Sequence, residues 1–247
     1  TGHSNVAVGA YALDANTANQ NTAVGKDALG ANTSAANNAG FGFKALELNT
    51  TGSENTGIGS TALQVNTTGS NNTALGYYTL GANTTGTQNT CVGSYAGDAN
   101  TTAANLTAVG YFAASNNTTG ASNTAIGASA LGSNTTASNN TAVGKSALGL
   151  NTTGQYNTAV GQGALATNTT ASNNTAVGRA ALASNTTGTQ NAALGTLALN
   201  QNTTANNNTA IGHYALYANT TGTYNTAVGT YALDANTTGQ QNHAFGY

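Results

Sequence analysis

Residues 144–160 read GKSALGLNTTGQYNTAV, and this seventeen-residue unit recurs through the whole 247-residue chain. The next unit begins at Gly161 and the previous one at Gly127, while the first period, from Gly9 to Gly25, is one residue shorter. Such strict self-similarity is typical of stacked repeat folds, in which each unit buries its apolar side chains against its neighbours. We therefore expect each unit to repeat one backbone path.

Fixed residue types occupy most positions of the unit when its first glycine is counted as position 0, and we call the residues that share a position a column. Position 7 is asparagine and position 8 is threonine in all fourteen full units. Position 16 is always a large apolar residue, and position 4 is leucine except at Gly97 and Ala114. Two apolar columns therefore run along the chain.

The unit length decides the fold class. Seventeen residues are too few for the strand-plus-helix repeats, which need about twenty. They suit one coil of a parallel β-solenoid. We predict an all-β chain of about fifteen coils that forms a single continuous array over residues 1–247, as a segment of a longer protein or filament.

The alternation of residue types over Asn157–Gly161 predicts a strand in each unit. We expect Thr158 and Val160 to point into the coil and the other three residues to point outward, where their columns would form a smooth surface for lateral packing. An aspartate at Val143 or Leu148 would then melt the neighbouring coils.

The rest of the unit allows two interpretations. One is a short second strand centred on Ala164 and Leu165, followed by a return turn at Asn168. The other is one or two helical turns that end at the asparagine.

Stacked coils place each position-7 asparagine above its equivalent, where side-chain amides can donate and accept along the column. We predict a structural ladder that includes Asn32, Asn49, Asn66, Asn83, Asn100, Asn134, Asn151 and Asn168.

Charge and composition exclude several functions. Charged residues make up 4% of the chain and the net charge is −2, so no basic footprint for nucleic acid exists. The sequence contains no apolar run long enough to predict membrane insertion. His3, His213 and His243 occupy three different positions, and Cys91 has no second cysteine to pair with. We expect no catalytic site, no metal and no cofactor.

Aromatic residues gather at positions 1 and 2. They predict an exposed stripe for contact with sugars or neighbouring chains, although the rings can equally serve to cover a corner of the coil. The stripe comprises Tyr77, Tyr78, Tyr95, Tyr111, Tyr214 and Tyr231.

Two further features suggest other roles. Asn-Thr-Thr and Asn-Thr-Ser triplets at position 7 are N-glycosylation acceptors if the turn faces outward, for instance at Asn32, Asn66, Asn134 and Asn219. Threonine pairs such as Thr152-Thr153 suggest an ice-binding solenoid, but adjacent residues of a strand point to opposite faces. Ice binding is kept as the alternative function.

The string NTAVGxxAL, at residues 140–148, 157–165 and 225–233, resembles the repeated strand of trimeric autotransporter adhesin heads and of β-solenoid shafts in phage tail fibres. The unit is longer here by the segment Asn151–Gly154. The resemblance implies an extracellular structural fibre, a shaft or adhesive stalk on a cell or virion surface. The implied partners are further copies, as a lateral trimer or an end-to-end polymer, and a host-surface or carbohydrate receptor.

Overall fold

The computed structural model describes residues 2–247, which form two compact units, one ending at Asn123 and one spanning Thr124–Tyr247. Every strand is three residues long and recurs at the period of the sequence. The described part of the first unit contains β1 (Val6–Val8), β2 (Thr22–Val24), β3 (Ala39–Phe41), β4 (Thr56–Ile58), β5 (Thr73–Leu75), β6 (Thr90–Val92) and β7 (Thr107–Val109). The second contains β8 (Thr124–Ile126), β9 (Thr141–Val143), β10 (Thr158–Val160), β11 (Thr175–Val177), β12 (Ala192–Leu194), β13 (Thr209–Ile211), β14 (Thr226–Val228) and β15 (His243–Phe245).

Within each unit, every strand pairs in parallel with the equivalent residues of the next coil. Thr158 lies opposite Thr175, and Val160 lies opposite Val177. The amide of Gly178 donates to the carbonyl of Val160 at 2.7 Å, which extends the pairing beyond the strand. The predicted fold class, an all-β parallel β-solenoid with seventeen-residue spacing, is confirmed.

The segment between strands consists of turns, so the predicted second strand at Ala164 and Leu165 is wrong. Ala164 donates to the carbonyl of Gly161 at 3.2 Å, and Asn168 donates to that of Leu165 at 3.2 Å. Leu165 has a φ of +50°, in the left-handed region, which interrupts both a strand and a right-handed helix. The helical alternative is wrong as well, because residues 2–247 contain no helix.

The inward and outward faces of the strand are the reverse of the prediction. Ala159 and Asn157 are fully buried, whereas Thr158 and Val160 are partly exposed. The cause is the narrow interior. A Cβ added at Gly57, in the column of Ala159, would lie 3.3 Å from Cγ of the buried Leu46. A valine at this position would collide with the leucine that fills the coil.

The core of each compact unit is built from a few residue types. Position 4 supplies most of the large side chains, and positions 3, 10 and 15 supply mainly alanine or glycine, with Thr79 and Cys91 as buried exceptions. The predicted burial of the leucine column is therefore correct, and its fully buried members are Leu29, Leu46, Leu63, Leu80, Leu131, Leu148, Leu165, Leu182, Leu199 and Leu216. Leu106, at position 13, is also fully buried.

The glycine at position 0 is fixed by close backbone stacking. Gly144 has a φ of +130°, and a Cβ there would lie 2.6 Å from the carbonyl group of Gly161 in the next coil. Any side chain would force the coils apart, which explains why this glycine marks the period.

Candidate functional site

The position-7 asparagines form an amide ladder inside each unit. Nδ2 of Asn66 donates to Oδ1 of Asn49 at 2.8 Å and to the carbonyl of Gly69 at 2.9 Å. The same pair of bonds joins Asn168 to Asn151 in the second unit, at 2.9 Å, and to the carbonyl of Ala171, at 3.0 Å. The eight asparagines predicted to form the ladder are all fully buried: Asn32, Asn49, Asn66, Asn83, Asn100, Asn134, Asn151 and Asn168.

A second amide ladder, which was not predicted from the sequence, runs along position 13. The backbone N–H of Asn174 donates to Oδ1 of Asn157 at 3.0 Å, while Nδ2 of Asn174 donates to the carbonyl of Gly188 at 2.9 Å. The signal was present, because asparagine occupies this position almost as regularly as position 7. These buried amides stabilise the coil and do not face a ligand.

The predicted glycosylation acceptors, Asn32, Asn66, Asn134 and Asn219, are also buried. Asn66 shows the consequence, because its amide nitrogen gives hydrogen bonds to Asn49 and Gly69 and meets no solvent. Attachment of a glycan would remove these bonds and require the coil to open. Glycosylation of the folded chain at these positions is therefore not proposed further.

The threonine pairs do not make a two-column surface. Thr152 is partly buried and its Oγ1 donates to the carbonyl of Thr169 at 3.0 Å. Thr153 is exposed. The first hydroxyl of the pair is thus used to bind the next coil, and only the second faces solvent.

The outward face of the strands is the most extensive candidate surface. It consists of position 14, mostly threonine, and position 16, always a large apolar residue. Leu75 is 45% exposed in the first unit and Leu194 is 49% exposed in the second. Neither position carries Asp, Glu, Lys or Arg in any strand. We call this surface the outer strand face.

The six predicted tyrosines form two clusters, one in each unit, in place of one continuous stripe. Tyr78, Tyr95 and Phe112 lie at position 2 of successive coils, and the ring centroids of Tyr95 and Phe112 are 5.0 Å apart at an interplanar angle of 4°. Tyr77 and Tyr111 flank them at position 1.

The second cluster combines a stacked pair of rings, Tyr214 and Tyr231, with an edge-on contact between Tyr231 and Tyr247. The rings of Tyr214 and Tyr231 are 5.3 Å apart, and the rings of Tyr231 and Tyr247 are 5.9 Å apart. His213 packs edge-on against both Tyr214 and Tyr231.

Two carboxylates show shifted pKa values. Burial raises the pKa of Asp98, whose Oδ1 is buried and accepts no hydrogen bond from the described residues. Glu47 differs, because hydrogen bonds from Gln64 and Lys44 outweigh its desolvation and lower its pKa. Partial desolvation, the Tyr77 hydroxyl and the Asp98 carboxylate together raise the pKa of Tyr95.

The histidines and the cysteine do not converge on a site. No group of three or more His, Cys, Asp or Glu side chains that could hold a metal ion occurs in residues 2–247. Cys91 is fully buried, and burial raises the pKa of its thiol. The part of the chain that the structure describes has no helix with the length and hydrophobicity to cross a bilayer.

The chain matches no protein-family model, no curated protein and no solved structure. The candidate surfaces therefore have to be interpreted from their own chemistry.

Proposed function

We propose that the chain is a structural module of an extracellular fibre and self-associates through the outer strand face. The observation that carries the proposal is the uncharged column of large apolar side chains at position 16, each of which is partly or fully exposed. Continuous apolar surface of this kind is unusual on a solitary soluble protein and marks an interaction site. A second copy offers the same uncharged surface.

The regular period strengthens this choice of partner. Most coils present one threonine and one aliphatic residue in the same arrangement, as in Thr158 and Val160, so two copies can repeat one contact along the stacked coils. Weak contacts repeated along rigid modules add into strong association. The lateral contact is thus assigned to this face, and not to Ala159 and its neighbours, which lie inside the coil.

The resemblance of residues 157–165 to adhesin heads and tail-fibre shafts supports a trimer around a shared axis and a place on a cell or virion surface. A stalk needs stiffness, and the amide ladders with the fully buried leucines supply it. Contact with a host-surface receptor belongs to the same proposal.

Sedimentation equilibrium tests self-association. The triple variant Val143→Thr/Val160→Thr/Val177→Thr keeps the shape and β-branching of the side chains but removes apolar surface from three adjacent strands. A matched control replaces three exposed position-9 residues, Thr136→Ser/Thr153→Ser/Thr170→Ser. We expect the wild type and the control to form oligomers and the outer-face variant to dissociate. A monomeric wild type at high concentration would refute the proposal.

Ice binding is a second candidate that uses the same face. In most coils the outer strand face carries a threonine hydroxyl at position 14 and aliphatic methyl groups at position 16, in register between paired strands. This arrangement replaces the threonine-pair columns considered from the sequence. Thermal hysteresis by the dissociated protein, lost on substitution of Thr141, Thr158 and Thr175 by tyrosine, would favour it over self-association.

A further inference from the structure

The outer strand face contains one side chain of a type that changes its charge near neutral pH. His243 takes position 14 in β15, where most strands have threonine. No other histidine, and no Asp, Glu, Lys or Arg, occupies position 14 or 16 of the described strands. The surface assigned to self-association is thus uncharged apart from one imidazole.

His243 lies on the outward side of its strand, beside a large apolar ring. His243 and Phe245 are both exposed, and residues two apart on a strand line the same face. Phe245 is 78% exposed. A second copy that covers this ring therefore also covers the imidazole beside it.

The strand paired with β15 offers His243 no opposite charge. His243 lies opposite Thr226 in β14, and Phe245 lies opposite Val228. The neighbouring position-12 residues of these two coils are Tyr224 and Gln241. None of these side chains is a carboxylate.

The nearest carboxylate along the chain belongs to another surface. Asp234 lines a groove with Tyr231 and Tyr247, in the turn segment that follows the strand. None of the ion pairs in residues 2–247 includes His243. A proton on this imidazole would therefore add an uncompensated positive charge to the face.

A second copy cannot supply the missing negative charge from the same face. Its positions 14 and 16 lack Asp and Glu in every described strand, whichever strand lies opposite His243 and in whichever direction the two chains run. The one carboxylate in the position-12 column, next to the face, is Glu54. A charged imidazole covered by a second copy would lose water without gaining a partner, which is costly.

We propose that His243 makes self-association through the outer strand face sensitive to pH, so that the chains associate while the imidazole is neutral and separate when it is protonated. This inference rests on the proposed function and adds its regulation. Histidine is the side chain that ordinarily changes charge between pH 5 and 8. A histidine that must stay neutral in an assembly weakens association about tenfold at one pH unit below its ordinary pKa of about 6.5. Association should therefore weaken as pH falls through that value.

Sedimentation equilibrium of the full chain at pH 8.0 and pH 5.5 tests the switch. The variant His243→Thr installs the residue that Thr209 and Thr226 supply at the same position, so the fold tolerates it. The matched control His213→Thr removes an exposed histidine at position 1, away from the outer strand face, where Thr230 is a natural equivalent.

We expect the dissociation constants of the wild type and of His213→Thr to rise about tenfold between pH 8.0 and pH 5.5. The dissociation constant of His243→Thr should stay the same at both pH values. His243→Lys, which is charged at both, should associate weakly at both.

The outcomes separate this inference from the proposed function. Equal pH dependence in the wild type and His243→Thr, or wild-type affinity of His243→Lys at pH 8.0, would overturn the inference and leave self-association intact. Tighter association of the wild type at pH 5.5 would overturn it as well, because it would indicate a carboxylate partner such as Glu54. A wild type that is monomeric at pH 8.0 would refute both.

Discussion

Leu106 occupies the space that the side chain of a position-4 leucine fills in other coils, next to Gly97. A Cβ added at Gly97 would lie 3.1 Å from Cδ2 of Leu106 and 3.0 Å from Sγ of Cys91. The one seventeen-residue repeat that lacks asparagine at position 13 is thus a repeat that also lacks leucine at position 4. The two exceptions to the repeat compensate for each other, since the interior holds one leucine in this coil.

This compensation predicts a double-mutant cycle at residues 97 and 106. Leu106→Asn should destabilise the first unit by about 2–4 kcal/mol because it empties the core. Gly97→Leu should cost about 1–3 kcal/mol because it overfills it. The double variant restores the consensus, so its loss should be smaller than the sum by about 0.5–3 kcal/mol. Urea unfolding measures all three, and strict additivity would contradict the exchange.

The asparagine ladder predicts a difference between buried and exposed amides. Asn151→Asp should destabilise the second unit strongly at pH 7, because a buried carboxylate cannot donate to Asn134 and Gly154 and would carry an unpaired charge. The loss should shrink at pH 3, where the carboxyl is protonated. The control is Asn173→Asp, because Asn173 is an exposed asparagine at position 12. Thermal unfolding at both pH values measures the difference, and equal melting temperatures for the two variants would count against the ladder.

The strand orientation predicts opposite tolerances at neighbouring residues. Ala159→Val should cost about 1–3 kcal/mol through overpacking against the leucine column, whereas Val160→Thr should cost under about 0.5 kcal/mol in the dissociated chain. Leu148→Ala should cost about 2–5 kcal/mol. Chemical denaturation of the three variants gives these values. A large loss at Val160 with a small loss at Ala159 would restore the orientation expected from the sequence.

The raised pKa of Asp98 predicts a stability gain from Asp98→Asn. The folded pKa lies above the model-compound value of 3.8, so the charged carboxylate is disfavoured in the folded state. At pH 7 the amide should raise stability by less than about 1 kcal/mol, because solvent screens a partly exposed group. As pH falls through the folded pKa, the wild type becomes protonated and the gain should disappear. Melting curves at pH 7 and pH 3 test this, with Asp14→Asn as an exposed control; a gain that persists at pH 3 would exclude the charge as its cause.

Much of the fold follows from the repeat itself. The seventeen-residue period, the parallel stacking and the buried leucine column could be predicted because each depends on residues that recur at one position. The amide ladder at Asn151 followed from the same regularity. These features depend on the relation between coils and not on the path within one coil.

The face of the strand that points into the coil was harder to predict, because hydrophobicity alone placed Val160 in the core. Side-chain size was the better signal. Position 15 is always small, as at Ala159 and Gly57, which a cramped interior requires, whereas position 16 varies from valine to phenylalanine, as only an open face permits. The turn was hidden for another reason. Leu165 adopts a left-handed φ with no glycine or asparagine to announce it.

Residue-specific cross-linking shows whether two chains meet at the outer strand face, as proposed, or at another surface. In a Cys91→Ala background, Val160→Cys places one thiol on the outer strand face and Thr153→Cys places one on the exposed turn. Treatment with a short bismaleimide should link chains of the Val160→Cys protein covalently and leave the chains of the Thr153→Cys protein without a cross-link. Equal cross-linking of both, or cross-linking only through Thr153→Cys, would contradict the account.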